Sequence, residues 1–103
     1  MRCLVVDDEA RVRDVMMRVL AGEGFECRPA SSGAEAVALL ERESFDLAVL
    51  DIQMPAMDGT RLLAEIRLRW PETGVVMVTA VADVRTAVSC LRQGALDLSL
   101  IHI

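Results

Sequence analysis

Apolar residues along this chain gather into short blocks of two kinds, and the kinds alternate. Cys3 to Val6 is a continuous apolar run of strand length. From Arg11 to Leu20, the residues Val12, Val15, Met16, Val19 and Leu20 fall at i, i+3, i+4, i+7 and i+8. That spacing predicts one stripe of an amphipathic helix, and Gly22 and Gly24 end it. Phe25 to Pro29 reads as a short second strand, with Pro29 at its end, where a sheet tolerates it. Ser32 with Glu35 three residues on is a capping-box signature. The helix it starts carries Val37, Leu39 and Leu40 and fades at Ser44. Asp46 to Leu50 is a third strand, and Leu62, Leu63, Ile66 and Trp70 mark a third helix that Pro71 stops. Gly74 to Val78 is apolar throughout, as a strand buried on both faces should be. Asp83 caps a fourth helix, with Val84, Ala87, Val88 and Leu91 inward and Gly94 closing it. Leu96 to Ile101 supplies a fifth strand.

This alternation implies an α/β fold: a parallel sheet with helices on both faces, joined by right-handed crossovers. The chain has 103 residues, enough for one domain. Hydrophobic residues make up 53% and aromatics only 3%, so the core is aliphatic. A formal net charge of −5 argues against a nucleic-acid-binding surface within this segment. No apolar run is long enough to cross a bilayer, and the N-terminus lacks the pattern of a signal peptide. The expected setting is the cytoplasm. Cys3, Cys27 and Cys90 read as small hydrophobes in a reducing compartment. A redox role would need Cys3 and Cys27 on neighbouring strands with matched geometry.

Candidate chemistry lies at two strand ends. Leu47 to Leu50 runs into Asp51, which opens Asp51-Ile52-Gln53-Met54-Pro55-Ala56-Met57-Asp58-Gly59. Leu4 to Val6 runs into Asp7-Asp8-Glu9. In open parallel sheets, ligands bind just outside the carboxyl ends of the strands. Three carboxylates brought together there repel one another unless a cation holds them. Asp7 and Asp8 also have a plainer reading as the cap of the following helix. Asp58 reads as a turn residue with Gly59, Met54 and Met57 as packing residues, and Thr79 by itself as an ordinary strand-end threonine.

Taken in register, these residues resemble the receiver domain of bacterial response regulators. The resemblance rests on the acidic pair after the first strand, on Asp51 followed by Met-Pro-x-Met-Asp-Gly, on Thr79-Ala80 after the fourth strand and on Gly94-Ala95 before the last. It implies a flavodoxin-like, doubly wound five-stranded parallel sheet in the order 2-1-3-4-5. It implies Asp51 as phosphoacceptor, taking a phosphoryl group from a sensor histidine kinase or phosphotransfer protein. It implies Mg²⁺ held by Asp8 and Asp51 directly, by Asp7 mainly through water, and by the backbone carbonyl of Gln53. Thr79 would hydrogen-bond a phosphoryl oxygen. Such a domain is not a conventional enzyme, having at most weak self-catalysed phosphotransfer and dephosphorylation, and it regulates a separate output domain. The fourth-helix face is a candidate dimer surface.

The pattern holds through Asp97 and breaks at Leu98. Leu98 stands where the family has an aromatic, Ile101 where it has a phosphate-binding Lys, and His102 where it has Pro. The expectation is a receiver domain over 1–97 with its final helix missing, followed by an aberrant or truncated tail over 98–103 with a poorly formed fifth strand. The break points to a gene fragment or a foreign reading frame. Two further readings compete. A pseudo-receiver, a binding module not usefully phosphorylated, would follow from the loss of the Lys at Ile101. A haloacid-dehalogenase-type phosphatase also uses a strand-end Asp, but it wants a second acid two residues on, where this chain has Gln53. A GTPase or kinase would need a Gly-rich phosphate loop with Lys, and the chain has none.

Overall fold

The computed structural model describes residues 1–51, 59–78 and 100–102. Its elements are β1 (Arg2–Val6), α1 (Ala10–Gly22), β2 (Glu26–Ala30), α2 (Gly33–Arg42), β3 (Leu47–Asp51), α3 (Gly59–Arg69), β4 (Gly74–Val78) and β5 (Leu100–His102). The strands form one sheet in the order β2-β1-β3-β4-β5, and every pairing is parallel. This is the expected flavodoxin-like order. The expected fourth helix, Asp83 to Gly94, lies outside the described residues, as do residues 96–99 of the expected fifth strand.

Each central strand splits its side chains between two aliphatic cores, because successive residues point to opposite faces. Leu4 and Val6 of β1 join Ala48 and Leu50 of β3, Val75 and Met77 of β4, Ala36 and Leu40 of α2, and Leu62 and Ile66 of α3. Cys3 and Val5 join Val49, Val76 and Val78 with Met16 and Leu20 of α1. The helices thus cover both faces, with α1 on one and α2 and α3 on the other. All four residues Cys3 to Val6 are fully buried, as are most of β3 and β4. Their unbroken apolar sequence reflects burial on two sides.

The helix stripes are narrower than their spacing suggests. In α1, Met16 and Leu20 are buried and Val12 and Val19 are partly covered, but Val15 is 40% exposed. Val15 sits one position, about 100° of helix, away from Met16 and falls on the rim of the stripe. The end of α1 follows its glycines closely. The Phe25 N–H donates to the Leu20 carbonyl and the Gly24 N–H to the Ala21 carbonyl, while Gly24 takes a φ of +92°. This is a Schellman closure, and Gly24 is the residue that enters the left-handed region.

At the start of α2, half of the expected capping box forms. The Ser32 hydroxyl oxygen accepts from the Glu35 N–H at 3.2 Å. The Glu35 carboxylate takes the Ser31 hydroxyl at 2.7 Å in place of the Ser32 backbone.

At the N-terminal edge of the sheet, Asp46 ties β1 to β3. Its carboxylate accepts from the Arg2 N–H at 2.8 Å, and its own N–H donates to the Arg2 carbonyl at 2.9 Å. Those bonds fix the register Cys3↔Leu47, which carries Val6 level with Leu50. The residues that follow, Asp7 and Asp51, therefore leave the sheet side by side.

Candidate functional site

The carboxyl ends of β1 and β3 bring Asp7, Asp8 and Asp51 together. One carboxylate oxygen from each lies within 4.8 Å of the others. Asp7 is 1% exposed, while Asp8 and Asp51 are more accessible.

Asp7 is fixed from several directions. Its N–H donates to the Ala30 carbonyl of β2 at 3.1 Å. Its carbonyl accepts from the Arg13 guanidinium at 2.8 Å. Its Oδ1 accepts from the Glu9 N–H at 2.8 Å. Its Oδ2 is buried with no hydrogen-bond partner among the described residues. A buried carboxylate oxygen without a donor costs free energy that native structures seldom leave uncompensated.

The electrostatics agree with the geometry. Burial raises the Asp7 carboxyl to about 6; the Glu9 N–H pulls the other way, and the charges of Asp51 and Asp8 add to the rise. Among the described residues the cluster is thus anion-rich and poor in donors. Two or three carboxylate oxygens suit a small hard cation such as Mg²⁺, which takes oxygen ligands and keeps part of its hydration shell. The donor set and the orphaned Oδ2 both fit such an ion.

The plainer reading of the acidic pair as a helix cap does not describe this site. Glu9 is the N-cap of α1, and its side chain makes no capping bond. Asp7 instead accepts from the Glu9 N–H with one oxygen and leaves the other facing the acid cluster.

Sequence reasoning missed Arg13, which lies one turn into α1 and clamps the Asp7 carbonyl. Its signal was weak: an arginine in the first turn and a half of a helix is usually a solvated side chain. Gln53 and Thr79, and with them Met54, Pro55, Met57 and Asp58, lie outside the described residues.

A sheet of this order with this acid cluster at its carboxyl edge defines a class. Residues 3–99 match the response regulator receiver domain, and the chain belongs to that family. Among curated relatives it is 43% identical over 93 residues to the DNA-binding transcriptional regulator NtrC of Escherichia coli (strain K12), covering 90% of this chain and 20% of NtrC. The chain therefore spans about a fifth of the relatives it matches first.

Two solved structures are close in fold. The response regulator TrrA from Thermotoga maritima, in complex with Mg(2+)-BeF, is 30% identical with a TM-score of 0.75, over 99% of this chain and 84% of that one. The structure of the histidine kinase ThkA in complex with TrrA matches at 37% identity and a TM-score of 0.70, over 77% of this chain and 68% of that one. Receiver domains are phosphoacceptors of two-component signalling rather than conventional enzymes. No helix among the described residues is long and apolar enough to cross a membrane.

Proposed function

We propose that Asp51 accepts a phosphoryl group from a phosphohistidine on a sensor histidine kinase or phosphotransfer protein, in a Mg²⁺-dependent reaction. The observation that carries this reading is the convergence of Asp7, Asp8 and Asp51 at 4.8 Å or less, with one Asp7 oxygen buried and without a hydrogen-bond partner among the described residues. Asp8, Asp51 and the Gln53 carbonyl would hold the ion directly, and Asp7 through water. When bound, Mg²⁺ offsets the repulsion among the acids and the charge that gathers on the transferring oxygens.

Asp51 closes β3 opposite Val78, the last residue of β4. A carboxylate oxygen of Asp51 forms the new bond to phosphorus as the bond to the histidine nitrogen breaks, and the nitrogen keeps that electron pair. Catalysis here is mostly positioning, since the transferring group carries its own reactivity. Rigid strand ends serve that purpose. Arg13 and Ala30 hold the backbone of Asp7, and the Glu9 N–H holds its carboxylate. Thr79 follows Val78 directly in sequence, and we assign its hydroxyl to a phosphoryl oxygen. The kinase complex of TrrA and the DNA-binding NtrC support a histidine kinase upstream and an output domain downstream.

Ile101 favours a second reading. It stands where the resemblance places a cationic phosphate partner, and an isoleucine can neither donate nor carry charge. A pseudo-receiver with the fold and the acids but no useful phosphorylation would follow. Incubation with Mg²⁺ and acetyl phosphate, followed by intact mass, separates the two. Addition of one phosphoryl group, absent in Asp51→Ala, supports the phosphoacceptor. A folded chain that adds none supports the pseudo-receiver.

A further inference from the structure

The two described cysteines occupy one register pair. Cys3 of β1 lies opposite Cys27 of β2, and both are free thiols. Neighbouring strands run about 4.8 Å apart, and paired residues on parallel strands face the same side of the sheet. Disulfides span Cα separations of about 4.4–6.8 Å, so this pair lies within reach of closure. Cys3 is fully buried among Val5, Met16, Leu20 and Val49, and Cys27 is half-buried against the same cluster.

We propose that Cys3 and Cys27 form a redox-responsive dithiol that closes to an intramolecular disulfide by exchange with a low-molecular-mass disulfide such as oxidised glutathione. Cys27 is the attacking thiol, because it alone of the pair reaches solvent. Its thiolate attacks one sulfur of oxidised glutathione, a mixed disulfide forms, and one glutathione thiolate leaves. The Cys3 thiol then gives up its proton and attacks the Cys27 sulfur. The second glutathione leaves and takes that proton, so two protein thiols are oxidised and one disulfide is reduced to two thiols.

The polarity of the pair matches this order. The interaction with Cys3 lowers the Cys27 thiol from its ordinary value, while that same interaction and burial push the Cys3 thiol well above it. The cross-link joins β1, which ends at Asp7, to β2, whose Ala30 carbonyl receives the Asp7 N–H. The dithiol thus sits on the two strands that hold the buried acid.

The test uses the whole chain carrying Cys90→Ser, treated with oxidised glutathione without denaturant. The expected product has lost the mass of two hydrogens, gives a Cys3–Cys27 linked peptide on non-reducing digestion, and returns to the starting mass with dithiothreitol. The Cys3→Ala variant should instead accumulate one glutathione on Cys27. A stable glutathione adduct on Cys27 with Cys3 still open to alkylation, or closure only after denaturation, or no reaction at all, would overturn the proposal. Circular dichroism of each variant shows whether the sheet is intact, and the unsubstituted chain, mapped by the same digestion, gives the result independently of any substitution.

Discussion

Asp7 is the residue on which this site turns, although Asp51 is the one assigned the chemistry. Its carboxyl, ordinarily near 3.8, is raised to about 6 chiefly by burial. A raised acid destabilises the fold when it ionises. Below the unfolded value the penalty is absent; it grows as pH rises through the folded value and is complete above it. For the metal-free chain this loss is on the order of 2–3 kcal/mol. Urea denaturation in chelator should show Asp7→Asn more stable than the parent by that order at about pH 7.5, with the gap closing near pH 4. Equal stability of the two across this range would mean that the Asp7 charge is already compensated. The position of Asp7 was legible in the sequence, as an acid pair closing an apolar run. Its special burial was not, because nothing local distinguishes it from Asp8. The bonds that fix it come from Ala30 of β2 and Arg13 of α1, elements that sequence proximity does not bring to it.

At the scale of elements, the ends of the helices carry the most specific local chemistry. Gly24 has a φ of +92°, and a Cβ built there meets nothing within 4 Å. Gly24→Ala should therefore act through backbone strain alone, costing about 1–2 kcal/mol. Ser32→Ala removes the cap bond to Glu35 and should cost about 1 kcal/mol. Both effects are read from denaturation midpoints; a change under about 0.3 kcal/mol would show for Ser32→Ala that the cap bond is not formed in solution, and for Gly24→Ala that the backbone there does not hold a positive φ. Glycine spacing and the Ser-x-x-Glu pattern made these ends legible from sequence. The partner of the Glu35 carboxylate was not, since Ser31 and the Ser32 backbone are equally near along the chain. Strand identity was easiest to read, because β1, β3 and β4 are apolar on both faces. Element boundaries were less so: β3 extends to Asp51 and α1 extends from Ala10 to Gly22, past the apolar positions that define them.

Across the whole molecule, the strand order places the ends of β1 and β3 side by side, and this adjacency turns two separate acidic stretches into one cluster. Alternation and crossover handedness give a parallel sheet with helices on both faces, but the order that sets these two strand ends side by side came only with the resemblance, so the site was legible once the motifs were read in register. A ligand that binds only the folded chain stabilises it by mass action. Mg²⁺ should therefore raise the melting temperature of the parent in a saturable way and leave that of Asp8→Asn nearly unmoved. If phosphoryl binding lacks a cation because of Ile101, Ile101→Lys should increase phosphoryl incorporation by about 10- to 100-fold, read as initial rate with acetyl phosphate. No gain would remove the side chain at 101 from the account. The most direct test titrates Mg²⁺ against phosphoryl incorporation in the parent, Asp8→Asn and Asp51→Ala, with the modified residue located by peptide mapping. The account predicts saturable Mg²⁺ dependence and label on Asp51 in the parent, a sharply higher Mg²⁺ requirement in Asp8→Asn, and no label in Asp51→Ala. Labelling that persists in Asp51→Ala, or that proceeds equally well in chelator, would contradict it.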